Sequence, residues 1–262
     1  MSLNVTDRRR INGPQRSVEP VYTTKAADPF ATGRIDKRAL DQVRPIFIKT
    51  GPLDAQSLSA AAPSGSAYYE QGKIRVSCAI YGPRQGRKSN ARMGSFDCDF
   101  KYAPFSCSWR RSHIKTSDEK EIALVLEHSI APAIRLESYP KASIGAFVTV
   151  IESDGKAATI AAAINCISAA LADAGIELYD SVAACSMALH DEQWVSDCSQ
   201  AEENASTCSL LVARMPSADE ITYLLQHGKT TPEQTQQAIQ TCANDCTRVY
   251  AVICRYLQAT LE

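Results

Sequence analysis

The sequence predicts an α+β protein whose sheets and helices form separate layers. Runs of short alternating strands stand beside long helical segments, without strict strand–helix alternation. An alanine-rich stretch, 156–174, is apolar nearly all round, which suits a helix enclosed on every side. The chain has 262 residues and is 45% hydrophobic, enough for one substantial core or two small ones.

Residues 1–43 are polar, charged and interrupted by proline, and read as an extended basic N-terminal arm ahead of a folded domain at 44–262. Pro45–Lys49 is the first strand. Gly65–Glu70 and Lys73–Tyr81 form a hairpin turning at Gln71-Gly72, with Lys73 and Arg75 alternating with Ile74 and Val76 so that one face is buried. The apolar run Ile74–Tyr81 is expected at a sheet edge, where a partner chain would cover it. A cationic glycine/proline loop, 81–92, leads to a strand at Ser95–Lys101.

Thr116-Ser-Asp-Glu119 is a capping box, and the helix behind it carries Ile122, Val125, Leu126, Ile130 and Ile134 on one side, kinked or ended by Pro132. Ile144–Glu152 is a strand, and Asp154-Gly155 opens the alanine-rich helix, which stops at Gly175. Four short strands fit 181–189, 193–198, 208–214 and 220–226. Thr231-Pro-Glu-Gln234 is a second capping box, launching a helix to about residue 260 along a seam of Ala238, Cys242, Val249, Val252, Ile253 and Leu257.

No stretch approaches 18 consecutive apolar residues, so no membrane partner is expected. The opening residues lack the apolar run of a secretory leader. None of the ten cysteines forms a CxxC; they read as reduced, buried thiols, and Cys242 and Cys246 as helix packing rather than metal ligands. The four histidines are scattered, and neither HExxH nor Gly-x-Ser-x-Gly is present. Asp154-Gly155-Lys156 resembles a helix-start phosphate site, but it has one glycine and lacks the Walker pattern. The residues therefore offer no catalytic set, no metal site and no cofactor.

Charge is segregated. Residues 73–115 hold ten Lys/Arg against Asp97 and Asp99, whereas residues 116–262 hold eight basic and twenty acidic side chains. Such a division suits a polyanion on one surface and protein neighbours on the rest. The candidate polyanion-binding residues are Arg84, Arg87, Lys88 and Arg92 of the cationic loop, with Arg110 and Arg111 beside Trp109 as weaker ones, since cations next to an aromatic suit single-stranded RNA and also an ordinary surface turn.

Gly65-Ser-Ala-Tyr-Tyr-Glu70 running into Cys78-Ala-Ile-Tyr-Gly-Pro-Arg84, then Ala103-Pro-Phe105, then Ala170-Leu-Ala-Asp-Ala-Gly-Ile-Glu-Leu-Tyr-Asp180, resemble in order and spacing the RNase PH family. The likeness is strongest to the ring subunits of the eukaryotic RNA exosome. Arg44-Pro45 and Arg135…Tyr139-Pro140 fit as well, and Asp7-Arg-Arg-Arg-Ile-Asn-Gly-Pro14 narrows the likeness to the messenger-RNA-transport type. The resemblance implies a layered fold like that of ribosomal protein S5 domain 2 and assembly into six-membered rings. Active members hold phosphate with arginines and a Gly-Gly-Thr-Arg turn, and carry two acids at a later strand pair. Here the turn falls on Ala157-Ala-Thr-Ile160, the acids on Glu203 and Ser209, and a further arginine position on Asp118.

What the resemblance implies is a non-catalytic structural subunit of the exosome ring. It would help form the central RNA channel for 3′–5′ processing and degradation (rRNA processing, RNA surveillance, mRNA turnover) in nucleus, nucleolus and cytoplasm. Its implied partners are other RNase PH-like ring subunits, an S1-domain cap protein and single-stranded RNA. The alternative is an active phosphorolytic 3′–5′ exoribonuclease whose site is shared with a neighbouring subunit.

Overall fold

A computed structural model describes Phe30, Arg34 and residues 36–53, 62–85 and 92–261. The expected strands and long helices are present in order, and they sort into two sheets. The first holds β1 (Ile46–Thr50), β2 (Gly65–Gln71), β3 (Ile74–Gln85), β4 (Ser95–Tyr102) and β5 (Ala142–Glu152), ordered β1-β2-β3-β5-β4. Only β4 and β5 run parallel, because α1 (Ser117–Ile130) carries the chain across between them. The second sheet is ordered β7-β6-β8-β9, from β6 (Ala183–His190), β7 (Gln193–Ser196), β8 (Cys208–Met215) and β9 (Glu220–Gly228), all antiparallel.

The alanine-rich segment becomes α2 (Lys156–Asp173), packed against β2 and β3 on one side and β6 and β8 on the other. By length and apolarity it could cross a membrane, but 14 of its 18 residues are buried inside the protein. Small side chains let both sheets approach. Asn165, the polar exception, is satisfied by Ala184: its Oδ1 accepts the Ala184 N–H (2.8 Å) and its Nδ2 donates to the Ala184 carbonyl (3.0 Å). The last helix, α4 (Pro232–Leu261), packs on β6 and β8, with Ala238, Cys242, Cys246, Val249 and Ile253 buried. β6, Ala-Ala-Cys-Ser-Met-Ala-Leu-His, is therefore buried along nearly its whole length, covered on both faces.

Thr116 caps α1 as expected. Glu119 accepts the Thr116 N–H at 2.8 Å, and the helix stops at Ile130 because Pro132 lies in the 3-10 turn that follows. Seven of the ten cysteines are buried, the packing role read for them.

Three details depart from the sequence reading. β3 is an interior strand, paired with β2 on one side and β5 on the other, so Ile74–Tyr81 is not an edge. Val252 is 39% exposed and lies off the α4 seam. A short helix, α3 (Gln200–Ala205), follows β7 and was not expected. Its six residues carry no apolar period, and its signal is the pair Ser199 and Glu202, whose carboxylate accepts the Ser199 N–H at 2.8 Å.

Candidate active site and nucleic-acid interface

The starts of α1 and α2, one face of α3 (Gln200, Glu203 and Asn204), the β4–α1 loop and the β8/β9 pair surround one cleft of about 390 Å³. Asp118, Glu203 and Ser209, the positions matched to ionic residues of active relatives, all line it, together with Arg111, Lys156 and His227. Ile160 does not. It is 1% exposed and belongs to the core around α2, so its isoleucine side chain is buried with other apolar groups.

At the first turn of a helix, backbone N–H groups have no carbonyl partner within the helix, and the helix dipole favours an anion there. The α2 start has no capping side chain on Gly155. Two of its donors are satisfied from α3 instead. The Glu203 carboxylate accepts the N–H of Lys156 at 2.5 Å and of Ala157 at 3.2 Å. Gly155 makes room for it: its φ is 97°, and a Cβ there would lie 2.8 Å from Glu203 Oε2. The helix-start phosphate site suggested by Asp154-Gly155-Lys156 therefore already holds a carboxylate from the same chain. The ionised side chains around it are balanced, Arg111 and Lys156 facing Asp118 and Glu203.

Asp154 has a different task. Its Oδ2 accepts from Arg44 Nη1 at 2.8 Å, and its Oδ1 accepts the N–H of Gln200 at 2.9 Å, fastening the start of α3 to the start of α2. Arg44, 5% exposed, also grips Asp197 through Nε (2.8 Å) and Nη2 (2.6 Å). Asp197 has a φ of 52°, which ends β7 at Ser196 and turns the carboxylate toward that guanidinium. Burial raises the Asp197 carboxyl, but the hydrogen bonds and charge of Arg44 outweigh it and hold it below the usual carboxylate range.

The arm contributes a second buried pair. Arg34 reaches Glu202 through Nε–Oε1 (3.0 Å) and Nη2–Oε2 (3.1 Å), and it also donates to the carbonyls of Ser196 and Asp197. Burial opposes ionisation of Glu202, and the Arg34 and Ser199 bonds prevail, leaving its carboxyl below the ordinary value. Phe30 stacks on His190 with ring centroids 3.9 Å apart, and the Leu40 carbonyl accepts the N–H of Ser196, so the arm covers part of the β7 edge. Sequence reasoning found none of these pairs. The partners lie more than a hundred residues apart, and a lone Arg or Glu carries no sign of burial.

The candidate RNA-binding residues fall in two places. Arg84 is the next-to-last residue of β3, exposed, with its guanidinium 4.7 Å from the centre of the Tyr81 ring, and Arg92 is exposed just before β4. Arg87 and Lys88, in the loop between them, lie outside the described residues. Arg110 is exposed on the β4–α1 loop. Arg111 lies between the rings of Tyr102 (4.1 Å) and Trp109 (5.1 Å) on the cleft wall. Within the basic band, Arg75 pairs with Glu70 and Glu152 and Lys115 with Asp99, whereas Arg84, Arg92, Arg110 and Arg111 have no carboxylate partner among the described residues. Among those residues, no three His, Cys, Asp or Glu side chains are grouped as a metal site requires.

Two family models match the chain: the 3′ exoribonuclease family, domain 1, over residues 42–177, and domain 2 of the same family over residues 180–242. The exosome complex component mtr3 of Schizosaccharomyces pombe is 34% identical over 257 residues, 95% of this chain and 95% of that protein. MTR3 of Homo sapiens, also named an exosome complex component, is 34% identical over 265 residues, 94% of this chain and 93% of that one. The Rrp41 exosome component of Methanopyrus kandleri is 34% identical over 220 residues, 83% of this chain and 88% of its own. Among solved structures, rice (Oryza sativa) Rrp46 superposes with a TM-score of 0.76 at 24% identity, over 86% of this chain and 100% of that one, a likeness of fold.

Proposed function

This chain belongs to the RNase PH family of 3′ exoribonucleases, with its α+β fold, and we propose that it is a non-catalytic structural subunit of an RNA exosome ring. Its neighbours in the ring are other RNase PH-like subunits, an S1-domain protein caps the assembly, and single-stranded RNA passes through the central channel. The exosome component relatives, matched along almost the whole chain, support the assembly.

The observation that carries the loss of catalysis is what stands at the positions active members use: Asp118 and Ser209 on the cleft wall and Ile160 buried in the core, while the one acid kept, Glu203, is taken up by the amides of Lys156 and Ala157. Phosphorolysis needs a phosphate dianion held by fixed donors, because stabilisation of that kind is mostly electrostatic positioning. A dianion entering this cleft would meet a carboxylate where the helix start would otherwise favour it. Asp118 adds a second acid, so the cations of the cleft wall, Arg111 and Lys156, already face carboxylates of the same chain. RNA contact is assigned to Arg84, Arg87, Lys88 and Arg92, with Arg110 and Arg111 as weaker contributors. Those contacts are to phosphates, so they are independent of sequence and screened by salt.

The test is phosphate-dependent release of nucleoside diphosphates from labelled RNA under single-turnover conditions, using the full-length chain alone and with its ring partners. No phosphate-dependent release is expected from this subunit. Release that requires phosphate and disappears in Glu203→Gln would overturn the reading.

A further inference from the structure

We propose that Arg34 of the N-terminal arm is the latch that keeps Glu203 seated on α2, making the arm a positioning element for the closed cleft. This rests on the reading that Glu203 fills the anion seat. Helix α3 has only six residues, too few to be stable as a helix by itself, so its position is set by what grips it. Arg34 grips it from behind. Through Nε and Nη2 the guanidinium holds both oxygens of Glu202. Through Nη1 and Nη2 it holds the carbonyls of Ser196 (3.0 Å) and Asp197 (2.9 Å), at the end of β7. One side chain thus spans the start and the end of the turn between β7 and α3, and fixes how far α3 can swing.

The two adjacent acids face different partners. Glu202 is held by the arm and Glu203 by the start of α2, about 100° apart around one turn of helix. A rotation of α3 that frees Glu202 therefore moves Glu203. The Arg34 and Glu202 side chains are 1% and 2% exposed, so water does not replace the pair when it breaks. On the other side, Arg44 holds Asp154, which accepts the Gln200 N–H. With that second fastening in place, loss of Arg34 loosens α3 without detaching its first residue.

The measurement is residue-resolved amide hydrogen exchange on the full-length chain, comparing wild type, Arg34→Gln, Glu203→Gln and the double variant. Among the described residues the Lys156 and Ala157 N–H groups have no acceptor but Glu203, so their exchange reports the seat. Arg34→Gln is expected to speed exchange at both by about tenfold, leaving Asn165 and Cys166 in mid-helix unchanged, with no further gain in the double variant. Acceleration in Glu203→Gln but not in Arg34→Gln overturns the latch and leaves the seat standing. No acceleration in Glu203→Gln overturns the seat itself. If Arg34→Gln also speeds Asn165 and Cys166, Arg34→Lys decides. That variant keeps the charge and loses the fork, so faster exchange confined to Lys156 and Ala157 supports the latch, and wild-type exchange there contradicts it.

Discussion

Arg34 and Arg44 are 4% and 5% exposed and are bound to Glu202, Asp197 and Asp154, whereas Arg84, Arg92 and Arg110 stand on the surface with no carboxylate partner among the described residues. The two groups share one side-chain chemistry and differ in what surrounds it. A buried guanidinium must find carboxylates within its own chain, because an unpaired charge out of water is costly. An exposed one keeps its hydration and remains available to an outside anion. The contrast separates cations that build the fold from cations free to meet a polyanion.

Substitutions should divide along the same line. Arg44→Ala removes both guanidinium bonds to buried Asp197, leaving it the longer 3.6 Å contact with Arg38, and is expected to cost about 3 kcal/mol, measured by denaturant unfolding. A loss under about 1 kcal/mol would place this pair with ordinary surface bridges. The pH dependence of stability follows from the same pairs. Asp197 and Glu202 have carboxyls held below their unfolded values, so on acidification the unfolded chain takes up protons first. Their stabilisation is fully present above the unfolded carboxylate range of about pH 4–4.5 and is lost as pH falls through the folded values. Arg44→Ala should flatten that acid limb, and an unchanged limb would show that Asp197 is not its source.

Gly155→Ala is the next step down. A φ of 97° and a Cβ lying 2.8 Å from Glu203 Oε2 predict a loss of about 1–3 kcal/mol together with faster exchange at Lys156 and Ala157. Thr116→Ala removes one half of the α1 capping box and should cost about 1 kcal/mol. Arg84→Ala with Arg92→Ala should change stability by less than about 0.5 kcal/mol. In the assembled complex the same pair should make the slope of log RNA affinity against log salt shallower by roughly 0.7 per lost contact. A large stability loss with an unchanged salt slope would move these two arginines into the structural group.

The layered architecture was legible because periodicity is a local signal. The capping box at Thr116, the enclosed helix 156–173 and the α4 seam each follow from residues a few positions apart. The placing of Asp118, Glu203 and Ser209 around one cleft came from the family resemblance, and all three do line it. Neighbour relations between strands were not legible. An apolar run such as Ile74–Tyr81 looks alike at an edge and in the middle of a sheet, and pairing with β5 is settled by a crossover some sixty residues on. The seating of Glu203 on α2 was also invisible, since it depends on α3, a helix too short and too polar to show a period.

The most direct test of the closed cleft is a titration of the full-length protein with inorganic phosphate, followed at the Lys156 and Ala157 amides by NMR. With Glu203 in place, neither amide resonance should show a saturable shift at phosphate concentrations that shift both in Glu203→Gln. Saturable shifts of both amides in the wild-type protein would contradict the account, because they would show an outside anion where the structure places Glu203.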